Sequence, residues 1–432
     1  MPVFHRHLKH SYPRVVRGEG CWLFDDQDNA YLDGSGGALV ANVGHGLHEI
    51  AHAVGRQAET VAYASGAIFS NEPVAELAAA LDEVLPEPLA YSYFLCSGSE
   101  AIEASVKLAR QYWRERGRVE KWKVVSRVPS YHGNTLTALS LSGREHYRAI
   151  YGPLLTDFPR VPAPDRYRRP YGPTWDGSAV IREIERQGPE TVAAFLAEPV
   201  IGSSLGAMAP EPEYYQRIAE ACRELGVLFI ADEVMAGIGR TGRWFSFEHF
   251  GVVPDVVVCG KGLSGGYAPL SAVIASREIV ETIRDGSGAF VHSQTYSHMP
   301  LTAAAGVATL RYIKANGLVE HVASMEELFF EKLAALRAHQ AVGDVRGRGF
   351  LAGVELVADR ESKRPFARSE RVVERVAAAA LANGLVVWSN AGHLENGDGD
   401  ILMIGPSFTI STDEIDEIVA RLARALEQTL GS

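Results

Sequence analysis

Five short apolar runs, at residues 91–96, 123–128, 192–197, 227–231 and 256–259, constrain this chain more than any other feature. Each is too short for a helix and most lack a polar face, so they read as strands buried on both sides. Between them, residues 100–117, 177–187 and 213–225 carry apolar positions at helical spacing. This alternation predicts an α/β fold: a mostly parallel sheet with helices on its faces. Open sheets of this kind build their sites where the strands end, at the carboxyl edge.

The flanks differ from this middle. Residues 18–33 (GCWLFDDQDNAYLD at their centre) read as a hairpin around an Asp/Asn-rich turn, and the glycine-heavy stretch 34–46 suggests a close backbone approach. After Pro300, long Ala/Leu/Glu helices at about 300–338, 368–383 and 412–429 flank short strands at 350–357 and 385–388. The expected organisation is an N-terminal segment 1–60 belonging to a small lobe, a large domain 61–324 and a C-terminal small domain 325–432. The Pro/Arg-rich stretch 160–173 reads as a long surface loop.

A formal net charge of -11 argues against a nucleic-acid or anionic-membrane surface, so an anionic substrate needs a local positive site. Cys21, Cys96, Cys222 and Cys259 are scattered without a CxxC pair, as expected for reduced thiols. The opening residues are polar and His-rich rather than leader-like, and no apolar stretch reaches membrane length; a cytoplasmic enzyme is expected.

Three of the runs end in residues with chemistry. After Cys96 comes a Ser-Gly-Ser turn and a helix with Ile102, Val106, Ala109 and Trp113 on its buried stripe. The turn leaves backbone N–H groups free at a positive helix end. Gly98 permits close approach and Ser99 adds a hydroxyl, which suits an anion; an ordinary N-capped helix reads the same way. The run 228–231 ends in Asp232 and Glu233. A buried aspartate there needs a partner, which a protonated cofactor ring nitrogen could supply; a turn cap is the plainer alternative, and no ligand cluster points to a metal. The run 256–259 is followed by Lys261 between glycines. Leaving a buried strand desolvates the lysine, lowers its pKa and frees its amine for imine chemistry. In PSYHGNTLTALSLSG, Tyr131 could lie over a flat ring, and His132 is equally a structural histidine. Thr295 precedes a helix start at Pro300 and could donate to a phosphate.

Taken in order, SGSEA, YHG, ADEV, GKG and TYSHMP resemble a class III (omega-type) aminotransferase of pyridoxal 5'-phosphate fold type I, along nearly the whole chain. The resemblance implies a mostly parallel seven-stranded sheet plus a smaller α+β lobe built from the two termini. It also implies a Schiff-base and proton-shuttle role for Lys261, and Asp232 on the ring nitrogen. Gly98 and Ser99 would lie at the phosphate, Tyr131 and Val234 on the two ring faces, and Glu198 near the cofactor. Thr295 would reach the phosphate of a neighbouring subunit, making a homodimer the working unit. The implied reaction moves an amino group from an amine to an oxo acid by ping-pong kinetics. Aminomutases, decarboxylases and racemases share the scaffold and the same motifs.

Two departures narrow the resemblance. Relatives using glutamate and 2-oxoglutarate often carry EPIQGE and a late RxAPPL, whose Glu and Arg pair; here the positions hold Ser203 and Met403. Losing both partners together is physically coherent, since a buried arginine without its carboxylate is costly. The pattern resembles the amine–pyruvate branch, yet the loop 389–400, where that branch often has a mobile arginine, holds no Arg or Lys. His393 is its one potentially basic side chain, in a loop expected to be mobile and solvated. Met235 stands where many relatives have glutamine.

Overall fold

The opening hairpin is organised by one carboxylate. In the computed structural model, Asp25 accepts hydrogen bonds from the Gln27 and Asn29 backbone N–H groups, Asn29 Nδ2 and the Tyr31 hydroxyl. That fixes the turn between β2 (Trp22–Asp25) and β3 (Ala30–Asp33), and β1 (Val15–Glu19) adds antiparallel to β2. The structure describes residues 3–169, 171–172, 174–394 and 396–431; Pro170, Pro173, Glu395 and the extreme ends of the expected flanking segments lie outside these.

The central sheet uses β4 (Leu89–Leu95), β5 (Lys123–Val128), β6 (Arg160–Pro162), β7 (Val192–Ala197), β8 (Leu228–Asp232), β9 (Val256–Cys259) and β10 (Ser271–Ser276). Their order is β4-β10-β9-β8-β7-β5-β6, and β10 alone runs against its neighbours. Every residue of β7, β8, β9 and β10 is buried. Alternation sends Ala194, Leu196, Leu228 and Ile230 to one face, where they meet Ile102, Leu108 and Trp113 of the helix Gly98–Glu115. Phe195, Ala197 and Phe229 go to the other, against Tyr215 and Ile218 of the helix Pro212–Leu225.

The C-terminal third adds β11 (Val342–Arg348), β12 (Leu351–Leu356), β13 (Leu385–Val386), β14 (Trp388–Ala391) and β15 (Asp400–Ile404). A second sheet takes the order β11-β12-β15-β14, while β13 pairs parallel with β3 and so ties the end of the chain to its beginning. No described helix is long and apolar enough to cross a membrane, and all four thiols are free.

Three expectations change. The helix expected over 300–338 is two, Pro300–Ala315 and Leu318–Ala334, broken where Gly317 adopts a left-handed φ of 59°. The stretch 160–173 begins as the edge strand β6, with Val161 and Ala163 buried; proline is tolerated at a sheet edge, which hid the strand. The loop 389–400 is not a solvated flap: Asn390, His393 and Asp400 are all buried.

Phe229 is 2% exposed and its ring stacks 5.8 Å from both Phe195 and Tyr215. Phe229→Ala should therefore cost about 3–5 kcal/mol, read as a lowered midpoint in chemical denaturation.

Candidate active site

Five parallel-running strands deliver their next residues to one sheet edge: β4 to Ser97–Ser99, β5 to Tyr131–Gly133, β7 to Glu198, β8 to Asp232 and β9 to Lys261. Asp232 sits opposite Val258 in register and is 4% exposed. Its Oδ1 accepts from the Val234 N–H at 3.1 Å, and its Oδ2 lies 2.8 Å from His132 Nδ1, which donates to it. The His132 backbone N–H in turn donates to Ser142 Oγ at 2.8 Å. His132, which the sequence left open, is thus the residue that orients the aspartate.

The turn after β4 is built for close approach. Ser97 caps the helix Gly98–Glu115 by accepting from the Glu100 N–H. A Cβ on Gly98 would lie 2.9 Å from Val234 Cγ1, and one on Gly133, at a φ of 138°, only 2.4 Å from Ser99 Oγ. Ser99 Oγ accepts from the Asn134 N–H at 3.0 Å, so the two segments interlock. Ser271 Oγ, from β10, donates to the Ser97 carbonyl at 2.8 Å.

Lys261 opens the turn after β9 with a left-handed φ of 45°, a conformation that non-glycine residues hold mainly where surroundings enforce it. Asn42 enforces it here: its Nδ2 donates to the Gly262 carbonyl at 3.1 Å, and its own carbonyl accepts from the Phe408 N–H at 2.7 Å. Burial lowers the Lys261 ammonium from 10.5 to about 8, against the opposing pull of Asp232 and Glu198. A cofactor with an aldehyde, a phosphate and a basic ring nitrogen suits this donor set: an amine of lowered pKa, a helix start with free N–H groups and a buried carboxylate. No group of side chains suited to a metal occurs among the described residues.

Glu198 is less available than its sequence position suggests. Its Oε1 accepts from the Tyr131 N–H at 3.0 Å and its Oε2 from the Gly202 N–H at 2.7 Å. Burial raises its pKa, and Asp232 adds to the rise. It therefore positions Tyr131 and the loop that carries Ser203. Met235 packs on the same loop, since a Cβ on Gly202 would lie 2.5 Å from its Sδ. Met403 is fully buried in β15. Thr295 is exposed, in a segment where Tyr296 (54% exposed) packs edge-on against Tyr63 (44% exposed).

His393, expected in a solvated loop, is instead buried: its side chain is fully covered, with Nε2 3.5 Å from Glu355 Oε1. Glycine is the physical reason: Gly399, at a φ of 99°, lets the loop close on the imidazole, where a Cβ would lie 2.4 Å from His393 Cε1.

One site residue escaped the sequence reading. Arg144 Nη2 donates to Ser203 Oγ at 2.6 Å, and its guanidinium carbon lies 4.7 Å from the Tyr131 ring centroid. The segment LSLSGRE carried no local signal of this: Gly143 is pressed onto the end of β5, where a Cβ would meet the Arg127 carbonyl at 2.8 Å, and Ser203 lies far along the chain.

The lowered lysine has a pH signature. Between about 8 and 10.5 the unfolded chain keeps the Lys261 proton and the folded protein releases it, so stability rises with pH in that window. Below about 8 the burial penalty is fully present. Cofactor-free wild type should therefore gain on Lys261→Met as pH rises through this window, as measured by denaturant unfolding.

The sequence matches the family described as aminotransferase class-III over residues 4–426. An uncharacterized aminotransferase, YodT, of Bacillus subtilis is 39% identical over 96% of this chain and 94% of its own. A hypotaurine/taurine–pyruvate aminotransferase of Paracoccus denitrificans is 35% identical over 98% of this chain and 93% of its own. Among solved structures, a thermostable (S)-enantioselective omega-transaminase from Thermomicrobium roseum superposes with a TM-score of 0.92 at 36% identity, covering 99% of this chain and 97% of that one. The sheet described above is accordingly that of fold type I, and the chain belongs to the class III aminotransferases.

Proposed function

We propose that the protein is a pyridoxal-phosphate-dependent transaminase that moves an amino group from an amine or omega-amino acid to pyruvate by a ping-pong mechanism. The observation that carries this reading is the meeting of Lys261 with the His132–Asp232 pair at one sheet edge. When bound, the cofactor supplies the electron sink for carbon acid chemistry. Lys261 holds it and moves the proton at the donor carbon with its Nζ. His132 keeps Asp232 aimed at the ring nitrogen, and a carboxylate there favours the protonated ring. Gly98 and Ser99 bind the phosphate at the helix start, while Tyr131 and Val234 enclose the ring. Glu198 holds the Tyr131 backbone in place.

Pyruvate is the proposed acceptor because Ser203 and Met403 stand where relatives using 2-oxoglutarate often carry a paired glutamate and arginine. The hypotaurine/taurine–pyruvate relative supports the same acceptor. The working unit is a homodimer, with Thr295 serving the neighbouring subunit's phosphate. In support, Ile68 and Phe69 are 75% and 61% exposed, apolar surface that a second subunit would cover.

Purified protein incubated with the cofactor, an amine and pyruvate should form alanine, with parallel double-reciprocal lines. Borohydride treatment should fix a pyridoxyl group on Lys261, and Lys261→Ala should lower turnover by about 100-fold to 10,000-fold. Failure to form alanine from any member of a broad amine panel would sink the proposal.

A further inference from the structure

Several buried cations of this protein have their charge answered by carboxylates or backbone carbonyls. Arg346 and Arg168 share Glu355. Arg240 donates to the carbonyls of Phe350 and Pro406, and Lys121 to those of Pro189, Val192 and Gly226. Arg144 has fewer partners: its one acceptor is the neutral Ser203 Oγ, its Nε is buried without a partner as is Arg240 Nη2, and among the described residues no carboxylate forms an ion pair with it. A guanidinium carries five N–H donors, so most of its capacity remains open.

Its position is the second observation. The guanidinium lies over Tyr131 and acts electrostatically on Lys261 and Glu198, so it is within the field of the amine that performs the chemistry. Glu198 favours the Arg144 charge from a distance but makes no ion pair with it, its oxygens instead accepting from the Tyr131 and Gly202 N–H groups. A planar fork with open donors, lying over Tyr131 and felt electrostatically at Lys261, suits an incoming carboxylate.

We propose that Arg144 is the carboxylate grip of this enzyme, binding the carboxylate of the oxo acid acceptor and of its amino acid product, with Ser203 as its resting partner. This rests on the transaminase reading above. Serine suits the task because it accepts one hydrogen bond without neutralising the charge, and so yields to an incoming carboxylate. A glutamate at the same position would hold the guanidinium closed. Carboxylate-free amines have no need of the grip, so one pocket accepts both kinds of substrate in alternate half-reactions.

The test separates the two half-reactions on cofactor-loaded enzyme, followed by single-turnover absorbance. Arg144→Gln should lower kcat/KM for pyruvate and for alanine by about 10-fold to 150-fold, the loss of a hydrogen bond to a charged partner. The half-reaction with 1-phenylethylamine should change by less than about threefold. Propionate, which binds without reacting, should lose affinity in proportion to pyruvate. Ser203→Glu should reproduce the split by closing the grip, and Arg144→Lys, which keeps charge without the fork, should regain part of the pyruvate arm. Equal losses in the amine and pyruvate arms would make Arg144 a support for Tyr131 and overturn the proposal, as would an unchanged pyruvate arm. If the wild type transfers no amino group at all, it is the proposed function that fails, while propionate binding still reports on Arg144.

Discussion

The architecture depends on strands that cannot tolerate a polar side chain until they end. β7 through β10 are buried on both faces, and an unpaired charge within them would cost several kcal/mol. Chemistry is therefore displaced to the edge, and because β4, β5, β7, β8 and β9 run the same way, they share that edge. Lys261, Asp232, Glu198, the Tyr131–Gly133 segment and the Ser97 turn converge without any one of them being close in sequence to all the others.

At that edge, polar groups hold one another. His132 aims Asp232, Ser142 aims His132, and Glu198 anchors the Tyr131 backbone while bracing the loop that carries Ser203. Glycines make the spacing possible: Gly98 lets the helix start touch Val234, and Gly133 lets the tyrosine segment touch Ser99. The Tyr131 side of this edge is overlaid by the Arg144 guanidinium, which has no carboxylate ion pair among the described residues.

What was legible in the sequence follows from the same physics. An apolar run that stops abruptly in Asp232 or Lys261 announces both the strand and the residue that leaves it. The helix start after Ser97 is equally plain, since that serine caps it. The fold's mostly parallel sheet could be read from alternation alone, but the reversal of β10 could not, because an apolar strand carries no mark of direction. Pairings across long separations were hidden for a related reason. His132 meets Asp232 a hundred residues away, and Arg144 meets Ser203 fifty-nine away, and neither contact leaves a local pattern. His393 was misplaced because glycine and acidic residues in its loop read as solvated chain, whereas Gly399 folds the imidazole inward against Glu355.

Asn42 has a bearing on how the molecule is made. Its side chain braces the Lys261 turn, and its carbonyl is held by the Phe408 N–H and Ser407 Oγ. The Gly405 N–H bonds to the Gly34 carbonyl beside it. Residues near both ends of the chain therefore close on a lysine in the middle. During synthesis the sheet can assemble from its own strands, yet the brace is finished only after residues 405–408 have been made. Until then the nascent protein has its scaffold but an unset lysine, so commitment to function arrives as a final, long-range event rather than accumulating along the chain.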